Sequence, residues 1–273
     1  MSTSNPFAHG STLGGKRVAL WNVSHHTSDE SLASPLRMKK SRHVIIDGDL
    51  FHEDVSDHWI TQVFVVMMVA NHHTYQVLTK RSDRMRSWMT AANRSGEIAA
   101  AIRANVIRHG GGCPAFEDAT GILAKLSWPP ENVWLGISAE RQTEADARIP
   151  DLLATPAAVR FVSAEPLIGP IDFFQDGNGP LANGHPTREQ IDGENGIQFI
   201  RYGCSRIDWI IVGGESGHGA RPMHSVWARS IRDQCVAAGV PFFLKQIMEN
   251  GKKVPFGDWP EDLKIREIPH ANS

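Results

Sequence analysis

Short apolar runs in this sequence repeatedly end in polar or charged side chains. In residues 208–216, for example, four apolar residues lead directly into Gly-Gly-Glu-Ser. Carboxylates, amines and hydroxyls are the groups that proteins use for proton transfer and for binding ions. The candidate catalytic residues at such positions are Lys80, Glu140, Glu165, Glu215 and Lys245. The candidate ligand-binding residues are Asp47, Asp49, Arg81, Ser138, Ser163, Gly213, Gly214, Ser216, Arg221 and Gln246.

The three glutamates among these candidates allow several chemistries. Carboxylates gathered at one opening could bind a divalent metal, hold an ammonium group or raise one another's pKa. Lysine and arginine side chains nearby could instead neutralise them as ion pairs, and the residue types leave these alternatives open. Gly213 and Gly214 would let a ligand approach the backbone closely, and their N–H groups could hold an anion. Arg221 could clamp a carboxylate or a phosphate.

Common nucleotide-binding and hydrolase motifs are absent from the sequence. It contains neither a Gly-x-x-x-x-Gly-Lys-Ser/Thr loop nor a Gly-x-Gly-x-x-Gly turn that opens a helix. Ser216 is not part of a Gly-x-Ser-x-Gly elbow, because position 218 is a histidine, so a serine hydrolase is disfavoured. His218 and His224 lack an evident third ligand, and we therefore predict no metal site.

Six apolar runs precede the candidate residues, and helical patterns separate most of them. The runs are continuous and rich in branched or aromatic residues, as in parallel strands covered on both faces. They span residues 43–49, 74–81, 132–140, 159–167, 208–216 and 240–246. The sequence therefore predicts an α/β fold with a partial or complete (β/α) barrel of parallel strands. An open doubly wound sheet is the alternative. In either fold the candidates converge at the carboxyl ends of the strands.

Residues that cap helices predict several helix ends. Ser56, Ser82 and Ser225 each precede a helical pattern and are expected as N-caps. Asn71 and Gly239 follow such patterns and are expected as helix ends.

The chain is expected to divide into three regions. Residues 1–40 show little periodicity and are predicted to be irregular, with one short strand suggested at 17–23. Residues 41–249 are predicted to form the barrel, with a surface insertion at 173–207 that is rich in Gly, Asn and Asp. Residues 250–273 are predicted to be a C-terminal extension whose tail adds an edge strand.

Composition restricts the partners that can be expected. The 273 residues include Lys+Arg 28 and Asp+Glu 30, a net charge of −2, which argues against a broadly basic nucleic-acid surface. The basic segment 37–43 leaves local nucleic-acid contact possible, and a small-molecule ligand is the main expectation.

Three scattered cysteines indicate a reducing cytoplasm. The longest apolar run, 63–70, is too short to cross a bilayer, so no membrane contact is predicted; the sequence does not indicate the oligomeric state.

Several long segments resemble a phage-associated family of unknown function, usually called phage gp-thirty-seven/gp-sixty-eight. The segments include "TYQVLTKRSDRM", "NVWLGISAE", "DWIIVGGESGHGARPMH" and "RDQCVAAGVPFFLKQ", and the resemblance runs from about residue 35 to 269. The family is similar to radical S-adenosylmethionine (SAM) proteins, with a barrel related to that of spore photoproduct lyase. The resemblance implies SAM and a [4Fe–4S] cluster held by three cysteines near the N-terminus, spaced Cys-x6-Cys-x2-Cys.

The sequence departs from that family at the cluster. Its cysteines are Cys113, Cys204 and Cys235, none in the motif, so no cluster ligand can be assigned. We therefore expect a radical-SAM-like barrel without its first βα element and without its cluster. Such a chain would be a degenerate or truncated member or a fragment of a longer reading frame. The alternatives are a metal-assisted hydrolase or transferase acting on a phosphorylated or nucleic-acid-derived substrate, and a non-catalytic binding module.

Overall fold

The computed structural model describes most of the chain. It covers residues 12–13, 15–23, 29–109, 119–173, 188–191, 198–202, 206–217, 219–249 and 252–269. Cys113, Cys204, His218 and most of the predicted insertion at 173–207 lie outside the described residues.

Thirteen strands and eight α-helices are assigned within the described residues. The strands are β1 (Thr12–Leu13), β2 (Lys16–Asn22), β3 (Arg42–Asp47), β4 (Thr74–Thr79), β5 (Ser127–Trp128), β6 (Val133–Ser138), β7 (Val159–Ala164), β8 (Arg188–Ile191), β9 (Gln198–Tyr202), β10 (Trp209–Gly213), β11 (Phe242–Gln246), β12 (Met248–Glu249) and β13 (Lys252–Lys253). The helices are α1 (Asp29–Leu32), α2 (Ser34–Arg37), α3 (Asp57–Val69), α4 (Ser82–Met89), α5 (Arg94–His109), α6 (Ala119–Leu123), α7 (Gln142–Ala154) and α8 (Ser225–Ala238). Two 3₁₀ turns follow at Phe256–Asp258 and Glu261–Leu263.

The main sheet is a curled, mostly parallel half-barrel. Its eight strands lie in the order β1-β2-β3-β4-β6-β7-β10-β11. Every pair from β2 to β11 is parallel, and β1 alone pairs antiparallel with its neighbour. The strands follow chain order without the reversal that defines a doubly wound sheet. The predicted α/β barrel is therefore confirmed in its partial form, and the doubly wound alternative is wrong.

The two faces of the sheet bury different clusters. The larger cluster joins one set of alternating strand residues, such as Val77 and Val162, to the helices that cover the convex face. The smaller cluster lies on the concave face and centres on Trp209. The ring centroid of Trp209 lies 5.8–5.9 Å from those of three other aromatic side chains, Trp134, Phe161 and Phe243. These rings fill the lower part of the concave face.

Helix ends follow the cap pattern in part. The Oγ of Ser56 accepts a hydrogen bond from the Trp59 N–H at 3.2 Å, so Ser56 is the predicted N-cap of α3. Gly239 is the left-handed C-cap of α8, with φ 63°, also as predicted. The prediction was wrong for Ser82, which lies inside α4 because its Oγ donates to Asp151 at 2.8 Å instead of capping the helix.

Two further helix ends differ from the prediction by one residue or two. His224, and not Ser225, occupies the N-cap of α8. Helix α3 ends at Val69, with Ala70 as its C-cap, before Asn71 is reached. The pattern of apolar residues located both helices but did not fix the start of α8 or the end of α3 to the residue, as is usual at helix ends.

The half-barrel extends beyond the predicted limits of 41–249. Strand β2 corresponds to the short strand suggested at 17–23, and it pairs in parallel with β3 over six residues from Arg17 to Asn22. On the other edge, the tail runs antiparallel to β11 through an isolated bridge between Phe243 and Arg266, as the predicted edge strand implies. No helix in the described ranges is both long and apolar enough to span a bilayer.

Candidate functional site

Polar side chains gather at the carboxyl end of the half-barrel, which we call the mouth. The mouth comprises the residues that end or directly follow β4, β6, β7, β10 and β11. Ser138 on β6 lies in register with Ser163 on β7, and the glutamates two positions later, Glu140 and Glu165, leave the sheet at the same edge. The parallel strands thus bring residues from distant parts of the sequence to one opening.

Glu140 is held by two cations from different elements. Lys80 Nζ, from the end of β4, donates to Glu140 Oε1 at 2.5 Å. Arg148 Nη1, from α7, donates to Glu140 Oε2 at 3.1 Å and to the Ser138 carbonyl at 2.8 Å. The Glu140 side chain is only 10% exposed. Burial alone would raise its pKa, but the hydrogen bond and charge of Lys80, with the charge of Arg148, lower that pKa below its ordinary value.

Glu165 forms a second ion pair across the mouth. Lys245 Nζ, on β11, donates to Glu165 Oε2 at 3.3 Å, and the Ser163 hydroxyl donates to the same oxygen at 3.1 Å. Glu165 follows β7, and strand β10 lies between β7 and β11. The ion pair therefore crosses β10, and Gly213 on β10 leaves room for it. A Cβ at Gly213 would lie 2.3 Å from Glu165 Oε1, so a side chain there would displace this carboxylate from its present position.

Glu215 and Arg221 form the third pair, within the loop that follows β10. The backbone N–H of Arg221 and its Nε donate to Glu215 Oε2 at 2.9 and 2.8 Å, and Nη2 donates to Oε1 at 3.0 Å. Hydrogen bonds from Arg221 lower the pKa of Glu215 to about 2. The charge of Glu140 also contributes to raising the pKa of Arg221, so the two pairs lie within electrostatic range of each other.

The aspartates after β3 lie at the side of the mouth. Asp49 accepts hydrogen bonds from the Thr79 hydroxyl at 2.6 Å and from Arg81 Nη1 at 2.8 Å. This pair joins the ends of β3 and β4. Asp47 faces a separate pocket of about 270 Å³ that Asp49 and His52 also line. Asp49 therefore has a structural partner, Arg81, which joins it to the end of β4.

The predicted anion contact through backbone N–H groups does not hold for Gly214, because its N–H is already bonded. The Gly214 N–H donates to the Gln246 carbonyl at 3.1 Å, and the Gln246 side chain donates to the Gly214 carbonyl at 2.7 Å. A Cβ at Gly214 would lie 2.9 Å from Met248 Cγ. The glycines allow close packing, and the Gln246 side chain binds the backbone of Gly214. Ser216 is exposed to solvent.

The opposite wall of the mouth is apolar. Leu20 is 45% exposed and lies in register with the half-buried Ile45. Leu78 is also half-buried and packs, like Ile45, against the concave aromatic cluster. The concave face of β2–β4 therefore forms an apolar wall next to the charged residues of the mouth.

Among the described residues, no set of thiolates fits the iron–sulfur cluster that the resemblance implies. A cluster needs closely placed thiolates. Cys235 lies on α8 in the convex core with 0% exposure. Burial, with a smaller contribution from Glu267, raises the pKa of its thiol to about 12. Within the described ranges no group of three His, Cys, Asp or Glu side chains is placed to hold a metal ion.

Arg148 was missed by the sequence reasoning. It lies on α7 between Ala145 and Leu152, two residues that are buried against the sheet. One signal could have found Arg148. It is a basic residue on the buried face of a helix, and that helix directly follows an acid at a strand end.

One comparison with known proteins decides the family. A family model described as "Protein of unknown function (DUF5131)" matches residues 5–261. The chain belongs to this family. No curated protein and no solved structure matches the chain. The DUF5131 match spans the whole parallel sheet, and its description assigns no activity, substrate or cofactor.

Proposed function

We propose that this DUF5131 chain is a phage-related, radical-SAM-like half-barrel that binds a small zwitterionic molecule at its mouth and does not itself hold an iron–sulfur cluster. The alternation of charge at the mouth carries the proposal. Lys80, Glu140, Arg221 and Glu215 place positive and negative groups side by side, next to an apolar wall.

A ligand with both charges suits this arrangement best. An anion or a cation alone would leave groups of one sign without a partner, and unpaired charges in a partly desolvated site are unfavourable. A zwitterion can exchange the existing ion pairs for new ones of both signs. Lys80 and Arg221 are 55% and 56% exposed along their side chains, so a ligand can reach them.

A metal-assisted hydrolase fits the mouth less well. Glu140, Glu165 and Glu215 are each bonded to a lysine or arginine. A metal ion would have to displace those cations, which repel it. A binding module for nucleic acid remains an alternative that rests on the basic segment 37–43, and salt-sensitive retention of nucleic acid would support it.

Two measurements test the proposal. After anaerobic incubation with iron and sulfide, we expect no stoichiometric cluster, and four stable irons per chain would overturn that part. In thermal unfolding we expect SAM, as a zwitterionic probe, to raise the melting temperature. Stabilisation by Mg²⁺ or Mn²⁺ that is lost in Glu215→Gln, with no effect of SAM, would instead favour the hydrolase.

A further inference from the structure

We propose that the amino ends of β2, β3 and β4 bind the phosphate backbone of double-stranded DNA through five cations, which we call the basic edge. The five cations are Lys16, Arg17, Lys39, Lys40 and Arg42. The inference goes beyond the proposed function, because the three strands are parallel and their amino ends lie at the opposite end of the sheet from the mouth. DNA would bind in addition to the ligand of the mouth, and not in its place.

The pairing of β2 with β3 brings cations from two segments together. Arg17, the second residue of β2, lies in register with Arg42, the first residue of β3. Lys16 begins β2, and its Nζ reaches β4, where it donates to the Thr74 hydroxyl at 3.2 Å. Because neighbouring strands lie about 4.8 Å apart, the starts of β2, β3 and β4 together span about 10 Å.

Hydrogen bonds fix the segment that carries the two remaining lysines. His72, just before β4, donates from Nε2 to the Met38 carbonyl at 2.7 Å. Ser41 Oγ donates to the His72 carbonyl at 2.6 Å. Lys39 and Lys40 lie between these two anchors, and both are exposed. The segment is therefore held against the start of β4 while its lysines stay accessible to a partner.

The basic edge has no acidic counterpart. Segments 12–22, 38–43 and 70–76 build this end of the three strands, and none of them contains an aspartate or a glutamate. Within the part of the chain that the structure describes, none of the five cations forms an ion pair with a carboxylate. The cations of the three ion pairs at the mouth are, by contrast, neutralised. In a chain of net charge −2, the basic edge is thus a local concentration of positive charge without partners.

A DNA duplex fits this edge better than a membrane does. The exposed large apolar side chains among the described residues are Leu20, Val226 and Val236, and none of them lies at the amino end of a strand. The edge therefore offers no apolar group to insert into a bilayer. A span of about 10 Å faces about three successive phosphates of one DNA strand, which lie about 3.4 Å apart along the axis.

Other nucleic acids fit less well. The three segments expose no Phe, Tyr or Trp on which the bases of a single strand could stack. Duplex RNA is recognised largely through its 2′-hydroxyls, whereas this edge offers mainly charge, which suits the phosphates of DNA.

The test is fluorescence anisotropy of a labelled DNA duplex of about 20 base pairs, titrated with the full chain at several salt concentrations. We expect the logarithm of the affinity to fall with the logarithm of the salt concentration with a slope of about −3, because about three phosphates are neutralised. Lys40→Glu should weaken binding by about tenfold and reduce the slope by about one. Arg17→Glu, on a different strand, should weaken binding to a similar extent.

Lys252→Glu is the matched control for these variants. It reverses the charge of one exposed lysine in the hairpin that follows β11, so the net charge changes by the same amount. It should weaken binding by less than about threefold, because salt screens distant charges. Lys40→Glu should leave the binding of SAM unchanged.

Three results would overturn the inference. They are no binding of the duplex at about 100 µM protein in low salt, equal weakening in the Lys40 and Lys252 variants, and binding of phosphatidylserine vesicles without binding of the duplex. The outcome is separate from that of the proposed function. If SAM binds and the duplex does not, the basic edge alone is refuted. If the duplex binds through Lys40 and SAM does not bind, the basic edge stands and the zwitterionic ligand is wrong.

Discussion

Replacing Glu140 by Gln removes the charge that Lys80 and Arg148 share. Lys80 is about half exposed, so its pair with Glu140 should contribute roughly 0.5 kcal/mol. Arg148 is 20% exposed, and its charge-assisted bond should contribute about 1.5 kcal/mol. We therefore expect Glu140→Gln to lower the free energy of unfolding by roughly 2 kcal/mol near neutral pH, or the melting temperature by about 4 °C at this chain length.

The pH dependence of that loss has a defined sign. The folded-state pKa of Glu140 lies below the ordinary value of 4.5, so its charge stabilises the folded state fully above that value. The stabilisation is lost as the pH falls through the lower folded-state pKa. The difference in melting temperature between wild type and Glu140→Gln should therefore stay constant from about pH 6 to 8 and shrink below pH 4.5.

Thermal unfolding followed by circular dichroism measures this difference. Glu261→Gln is the control, because Glu261 is 88% exposed and pairs with Lys264 at the surface. It removes the same charge and should change stability by less than about 0.5 kcal/mol. Equal melting temperatures for wild type and Glu140→Gln at neutral pH, or a difference that persists in acid, would refute the reasoning.

Three further predictions concern the mouth and the core. Gly213→Ala places a Cβ 2.3 Å from a carboxylate oxygen and should destabilise the chain by about 1–3 kcal/mol in thermal unfolding, whereas Gly257→Ala, with no atom within 4 Å, should not. Cys235, whose pKa is raised to about 12, should resist alkylation at pH 8 until the chain unfolds; rapid modification of this cysteine in native protein, detected by peptide mass spectrometry, would contradict its burial. Arg221→Ala should let the pKa of Glu215 rise from about 2 toward 4.5, followed by carboxyl carbon NMR; an unchanged value would mean that Arg221 is not the cause.

The sequence predicted the parts of the fold that depend on local patterns. Continuous apolar runs such as 159–167 located the parallel strands, because both faces of such strands are buried. Strand β2 corresponds to the short strand suggested at 17–23, although its pattern is weak because exposed residues, among them Leu20 and Asn22, interrupt the apolar run. Whether the chain forms a partial or a complete barrel depends on which strands pair at the edges, and no local pattern records that.

The candidate site was predictable only in part, for a related reason. Polar residues at strand ends could be recognised along the chain, but their partners could not. Arg148 reaches Glu140 from a helix, and Arg266 reaches the end of β11 from the tail. Gly213 was expected to face a ligand, whereas its missing side chain makes room for Glu165. Such contacts depend on the curvature of the sheet and on crossings between elements that are distant in sequence.

Calorimetric titration of SAM into wild type and Arg221→Ala tests most directly whether the charged mouth is a binding site. Arg221 is exposed, and its ion-pair partner among the described residues is Glu215, so its loss should leave the fold intact. We predict one SAM site per chain in the wild type and binding that is about tenfold weaker or more in the variant. No measurable heat with the wild type, or equal affinity in both proteins, would contradict the account.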